Sequence, residues 1–469
     1  MFWEIQKDFL SLFRRGTGCN NYLNSIDGLR SLANLSIVFV HLLIIYTAFV
    51  LPYPNKQWQE LLMSSAFGLN NVMIFALEIF FMLSGFLLTY KLLNHWNRFS
   101  YNKQSFLYKE YPISILKRIF RFWPGILLAF VMLFVFGEPL YPNAGYLFEF
   151  FRQINIWMFF QNYIDPDYWY TSLAPLWSIS LDMQMHILLP LVLFIFYSKK
   201  NLSFIYNCLI GLLIVSVIRG LIVYDSSRMA VGIIGVRYPS FLLLTPSYFL
   251  HWVESNYNLT LSFDLQKDDA ATAFSQAMYL PLEARFGSFI IGAMLAIQIL
   301  RSQKHSNERK TWKKYLFYFL IVFQILAMFP NPNELPPDNF VTTFALSATR
   351  QIFTIGQAFI LFTALCPLTH PYHSSWLRKF FSLNIWIPIS KLSYLVYIIH
   401  WRIAFELVFR GPLRFKQYSV THASLIALPI VLVVSQIVAA IWYVLVEKPF
   451  ERAVTFYVFN RKSSQQHTL

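Results

Sequence analysis

Apolar stretches close to the length that a helix needs to cross a bilayer, about 20 residues, recur along the whole of this chain. No other feature constrains the fold as strongly. They fall at 32–52, 72–93, 121–137, 176–198, 203–224, 286–301, 314–330, 344–366, 389–408 and 423–445, the third, sixth and seventh being the shortest. Charged residues make up 13% of the 469 and hydrophobic residues 57%, whereas soluble domains carry roughly 25% charged residues. The expected fold class is an all-α polytopic membrane protein of about ten transmembrane helices. Residues 1–23 then form a cytosolic N-terminal segment, 24–455 the transmembrane domain and 456–469 a cytosolic tail.

Ten crossings put both termini on one side. Basic clusters at Arg14–Arg15, Lys117–Arg118–Arg121, Lys199–Lys200 and Arg309–Lys314 fall at alternate segments. Cytosolic loops attract such clusters, so both termini are expected in the cytosol. The net charge of +15 is then a matter of topology, and no nucleic-acid partner is expected. Two outer segments result: an aromatic-rich one at 138–175, and 225–285, which contains a possible glycosylation acceptor, Asn-Leu-Thr at Asn258. No cleavable leader is expected, since residues 1–31 are mixed and charged and lack a compact apolar core. Only about 20 residues follow the last span. Cys19, Cys208 and Cys366 are too dispersed for a disulfide framework or a metal site. No phosphate-binding loop, GxSxG elbow, HExxH pair or dinucleotide fingerprint occurs, which disfavours an NTP-driven pump. The host membrane is open: a bacterial inner (plasma) membrane, or a eukaryotic endomembrane or plasma membrane.

Ionisable residues inside spans are costly and mark candidate sites. In "SIDGLRSLANLSIVFVH", Arg30 and His41 are separated by eleven helical steps of about 100°, which return His41 to the face of Arg30 about 16 Å deeper. Asn34 lies on the same stripe. Such a stripe suits a long ligand with an anionic head for Arg30 to bind and a reactive tail near His41, whose neutral imidazole can act as a general base. The bland alternative is an interfacial anchor and an interhelical hydrogen bond. Glu78 opens the second span, followed by Ser84–Gly85, a pair that permits close helix approach. Arg118 and Arg121, one turn apart, can hold phosphate or simply anchor a cytosolic helix end. Ser178, Asp182 and His186 form one polar face of the fourth span; Asp182 can orient an imidazole, or the face can serve interhelical bonding. In the ninth span Ser393, Tyr397 and His400 share a stripe, and His400 competes with His41 as the reactive histidine. Arg285 and Arg350 start outer helix ends, where they can line an acceptor cleft or snorkel. Glu447 and Lys448 at the end of the tenth span read as structural.

Taken in order, these segments resemble the acyltransferase 3 family. "SIDGLRSLANLSIVFVH" is similar to its first span, an Arg or Lys, ten intervening residues, then His. "EIFFMLSGFLLT", "RIFR", "LWSISLDMQMHILLPLVL", "LSYLVYIIHW" and "VEKPF" resemble its later motifs. The likeness covers roughly 24–455. Asp182 stands where Glu is more usual, and together with the long outer loop it resembles the branch of nose-resistant-to-fluoxetine proteins. The N-terminal extracellular domain with cysteines of that branch, and the C-terminal hydrolase-like domain of some bacterial members, have no counterpart in this sequence.

The resemblance implies a membrane O-acyltransferase. It would move an acyl group, often acetyl, from cytosolic acyl-coenzyme A (acetyl-CoA) to a hydroxyl of an outer-facing or lipid-linked acceptor, often a glycan. On that reading Arg30, Arg118 and Arg121 hold the coenzyme phosphates. His41 acts as base or as transient acyl carrier, with Asp182 and Glu78 supporting it. Trp177, Ser178, Arg285 and His400 face the acceptor. A non-enzymatic transporter or lipid-handling protein is the alternative, and an acyltransferase centred on His400 a third reading.

Overall fold

The computed structural model describes residues 2–15, 21–46, 75–98, 103–136, 153–163, 172–173, 175–197, 201–227, 282–303, 340–415 and 418–460. The expected span 314–330, Asn258 with most of 225–285, most of 138–175, and Cys19 lie outside them. Among the described residues all regular structure is helical: α1 (Phe2–Ser11), α2 (Ser25–Ile45), α3 (Ala76–Arg98), α4 (Tyr111–Val135), α5 (Leu176–Phe196), α6 (Leu202–Ser227), α7 (Leu282–Ser302), α8 (Phe340–Leu365), α9 (Ser375–Phe381), α10 (Trp386–Phe409), α11 (Val420–Trp442) and α12 (Lys448–Val454). Among the described residues eight helices are long and apolar enough to cross a membrane, and α8 adds a shorter apolar stretch, Arg350–Leu365. The protein is an all-α, multi-pass membrane protein.

Side-chain pairing fixes the helix directions. Tyr111 bonds the Ile187 carbonyl at 2.9 Å, Ser114 meets His186 at 3.1 Å and Arg118 pairs with Asp182, so α4 and α5 are antiparallel. Arg219 lies 3.5 Å from Glu283 and Arg301 stacks over Tyr206, so α6 and α7 are antiparallel too. By contrast, α3 and α7 run parallel: Glu78 meets Arg285 and Gly85 meets Phe289. α2 and α10 are also parallel, with Ser31 on the Trp386 carbonyl (3.1 Å) and Tyr46 on the Leu413 carbonyl (2.5 Å). These directions have the parity that a ten-span count requires of its first and ninth, and second and sixth, members.

One boundary differs from expectation. The third span was expected from residue 121, but its helix runs unbroken from Phe106 to Val135. Its first half carries Lys117, Arg118 and Arg121, which depress hydropathy. Ser114 and Arg118 nevertheless face α5, where they bond His186 and Asp182, so the helix continues through the charged stretch.

With no hydrophobic drive between helices in lipid, close packing and interhelical bonds hold such a bundle. Gly85 of α3 and Gly292 of α7 show this directly. A Cβ on Gly85 would overlap the Phe289 carbonyl, and one on Gly292 would overlap the Met82 carbonyl. The backbones touch because both residues lack a side chain. Two apolar clusters result. One joins α2, α4, α10 and α11 through Leu42, Ile126, Val396 and Val431; the other joins α2, α3, α5 and α7 through Ala33, Met82, Leu181 and Ala296. α10 is the most enclosed span, whereas α6 and α11 lie at the periphery.

The start of α5 is set deep. Gln184 donates to the Phe159 carbonyl (2.8 Å) and to Asn162 (2.7 Å), and Asn162 donates back at 3.2 Å. Phe159 is buried with φ 62°, an uncommon conformation for a bulky residue. The paired amides and the contact with Phe122, 6.1 Å between ring centroids, hold it there.

Candidate functional site

α2 and α10 bring the two competing histidines together. His41 Nδ1 lies 2.5 Å from His400 Nε2, and His400 Nδ1 lies 3.0 Å from the Val396 carbonyl oxygen. The edge of the Trp401 ring abuts His41, with centroids 5.2 Å apart. His400 is fully buried and His41 half-buried. Among the described residues nothing bonds His41 Nε2. This nitrogen is therefore available to accept a proton or an acyl group.

Toward the start of α2, the three arginines share one electrostatic neighbourhood. Arg30 feels the charges of Arg121, Asp27, Arg118 and Asp182, and Arg121 those of Arg118, Glu447 and Asp182. Arg118 also bonds Ser84 Oγ at 3.2 Å and lies over the Phe122 ring. Asp182 is level with Arg118, early in α4, rather than at the outer end that a span starting at 176 suggested. The deep start of α5 is the cause. Asn34 is fully buried and makes no hydrogen bond among the described residues.

A second cluster faces the opposite end. Tyr397 Oη and Ser178 Oγ lie 2.8 Å apart, and Ser178 Oγ is 2.9 Å from the Pro175 carbonyl. Ser178 Oγ is the donor, its proton shared between Tyr397 Oη and the Pro175 carbonyl. The Tyr397 ring is 5.9 Å from His400, and Arg285 sits over Trp177 at 5.5 Å. Glu78, fully buried, pairs with Arg285 through one oxygen and accepts from Ser288 at 2.6 Å through the other. Trp177, Ser178, Arg285 and His400 thus form a continuous chain of contacts through Tyr397, Glu78 adjoining at Arg285. Arg350 faces Arg285 electrostatically.

Asp182 and Glu78 therefore hold arginines, and His400 supplies the contact to His41. His186 is engaged with Ser114. At the end of the bundle that carries the arginines, Lys448 pairs with Glu451 at 2.6 Å, and Glu447 neighbours Arg121. Sequence reasoning passed over Arg402, which is 1% exposed and paired with Glu406 one turn on. The signal was present in "HWRIAFE", an ionisable pair at helical spacing inside a span. Among the described residues no group of three or more His, Cys, Asp or Glu is placed to hold a metal.

Comparison with known proteins identifies the family. The family profile described as "Acyltransferase domain", acyltransferase 3, matches residues 23–444. Among curated relatives, Peptidoglycan O-acetyltransferase OatA of Listeria monocytogenes serovar 1/2a (strain ATCC BAA-679 / EGD-e) is 28% identical over 224 residues. That match covers 45% of this chain and 31% of the relative, so the chain spans about a third of the relative's length. No solved structure matches the chain. The histidine spacing, the ordered motifs and the profile over nearly the whole length agree: the chain belongs to the acyltransferase 3 family of multi-pass membrane proteins.

Proposed function

We propose that this protein is a membrane O-acyltransferase that moves an acetyl group from cytosolic acetyl-CoA to a hydroxyl of an outward-facing or lipid-linked carbohydrate. The reading is carried by one observation: His41 presents an unengaged Nε2 on the helix face that bears Arg30, with Arg118 and Arg121 in electrostatic reach of Arg30. Coenzyme A has that polarity, phosphates at one end and a thioester on a long arm at the other. Family membership and the O-acetyltransferase relative support the same chemistry. The relative acts on peptidoglycan by name, which makes a glycan acceptor the first to try.

In this reading the arginines bind the phosphates by charge-assisted hydrogen bonds, and the thioester carbonyl reaches His41. Nε2 takes the proton of the acceptor hydroxyl as its oxygen attacks that carbonyl. The tetrahedral intermediate then collapses, the C–S bond breaks, and the thiolate takes the proton from Nε2. The acceptor approaches past Trp177, Ser178 and Arg285. Asp182 and Glu78 act through Arg118 and Arg285, setting the two ends of the site, and the domain doing this work is residues 24–455.

The test is transfer of labelled acetyl from acetyl-CoA to glycan acceptors by protein in lipid nanodiscs. His41→Ala is expected to lower kcat by about a thousandfold, within the range of a lost general base, while acetyl-CoA still binds. Full transfer by His41→Ala would remove the assignment. A wild-type protein that neither binds nor turns over any acyl-CoA would favour the transporter.

A further inference from the structure

We propose that His400 is a positioning residue that locks His41 into the tautomer protonated on Nδ1, leaving Nε2 as the reacting nitrogen. The deduction starts from one backbone carbonyl. Val396 O can only accept, so His400 Nδ1, 3.0 Å away, carries the proton. In a neutral imidazole the other nitrogen is then bare, and His400 Nε2 is an acceptor. Its partner at 2.5 Å, His41 Nδ1, must therefore be the donor, and His41 Nε2 is left with its lone pair. The Val396 carbonyl thus sets the direction of the whole chain of hydrogen bonds.

Ring geometry supports that bond. The two imidazoles are within 9° of parallel and their centroids are 4.8 Å apart. This separation is close to the nitrogen–nitrogen distance plus the two ring radii, so centroids and nitrogens lie nearly on a line. The bond therefore runs in the ring planes, along the lone pair of His400. A fully buried His400 and the Trp401 edge against His41 keep both rings from turning. When Nε2 takes the acceptor proton, His41 becomes an imidazolium whose Nδ1–H already points at an acceptor. His400 thereby stabilises the charged state without touching substrate, much as a carboxylate orients the histidine of a serine-hydrolase triad.

Two measurements test this on the full chain in nanodiscs. The first is nitrogen NMR of 15N-histidine-labelled protein, with His41 identified by the signals lost in His41→Gln. His41 is expected to show a protonated Nδ1 and a bare Nε2; a protonated Nε2 overturns the proposal. The second is kinetic. His400→Leu is expected to lower kcat about a hundredfold, the lower end of acid–base contributions, with KM for acetyl-CoA within about twofold. His400→Gln, whose side-chain oxygen can accept from Nδ1–H, is expected to recover at least about tenfold of that loss. Equal activity of the two variants, with acetyl-CoA binding retained in both, overturns the proposal. The kinetic arm rests on the acyl-transfer reading. Absence of turnover in the wild type would sink that reading alone, because the tautomer signal needs no turnover.

Discussion

Two buried polar pairs lie in the same bundle and are built in opposite ways. Glu78 and Arg285, 1–3% exposed, join α3 to α7, and both carboxylate oxygens are occupied. Ser288 Oγ lies 3.2 Å from Thr354 Oγ1, whose hydroxyl donates to the Arg350 carbonyl at 2.7 Å. His41 and His400 join α2 to α10 through one bond, backed by Val396, and leave a nitrogen unengaged on the half-buried ring. The contrast follows from solvation. A buried charge costs several kcal/mol unless its partners are complete, so a charged pair in the membrane closes on itself. Imidazoles are largely neutral near pH 7, given an unperturbed pKa of about 6.5. They can be buried with one position unfilled, and that position is where chemistry can occur. A carboxylate with both oxygens engaged marks the holding pair, and an imidazole with one nitrogen unengaged the reacting one.

The sharpest way to break this comparison is to remove half of the closed pair. Arg285→Met leaves Glu78 buried without its countercharge and is expected to destabilise the protein by about 3–5 kcal/mol, the cost of breaking a buried pair from one side. The double replacement Glu78→Leu with Arg285→Met is expected to recover most of that loss, because no charge is stranded. Thermal unfolding in detergent reads both. If Arg285→Met kept wild-type stability but lost transfer to the acceptor, Arg285 would belong to the open site, through its place over Trp177.

Next in size is the pair of intermediate exposure. Arg118 and Asp182 are 21% and 14% exposed, so water screens part of their interaction. Arg118 has a proposed second duty toward the coenzyme phosphates, and Asp182 holds it in the unliganded protein. Arg118→Gln is expected to raise KM for acetyl-CoA about tenfold to a hundredfold, the 1.5–3 kcal/mol of a hydrogen bond to a charged group, with kcat little changed. Stability should fall by less than in Arg285→Met. A loss of kcat at constant KM would instead move Arg118 into the transition state.

How far these pairs were legible in the sequence depends on whether one helix carries both partners. The Arg30–His41 stripe was, because helical periodicity alone sets its geometry, and the span pattern likewise gave the all-helical fold. Gly85 was readable as a close-approach site, and the structure places it against the Phe289 backbone. The cross-helix pairs were not. His41 and His400 are 359 residues apart, Glu78 and Arg285 207, and nothing in the local pattern tells which buried acid meets which buried base. Asp182 and His400 were accordingly read as separate candidates, and only packing shows one against Arg118 and the other against His41. The depth of Asp182 was hidden for a further reason. A span edge read from hydropathy marks where apolar residues begin, whereas α5 starts below the end of its neighbour on the support of Gln184, Asn162 and Phe159.

The smallest effect belongs to the pair whose arginine is the most exposed of the three, and it tests whether exposure of the cation orders the series. Arg452 after the last span reaches both oxygens of Asp8 in α1, at 2.7 and 2.6 Å, and lies 3.6 Å from Glu4. Arg452 is 46% exposed and Asp8 9%, so water reaches the pair from the guanidinium side. Such a pair competes with water and loses side-chain entropy, which limits exposed bridges to about 0.2–1 kcal/mol. α1 has other attachments: Leu12, just past its end, is buried in the apolar core, and Lys391 donates to the carbonyls of Ser11 and Arg14. Arg452→Ala is therefore expected to lower stability by no more than about 1 kcal/mol, with the difference shrinking as salt is raised. A loss above about 2 kcal/mol that ignored salt would place α1 with the Glu78–Arg285 network, and closure rather than exposure would then set what each pair contributes.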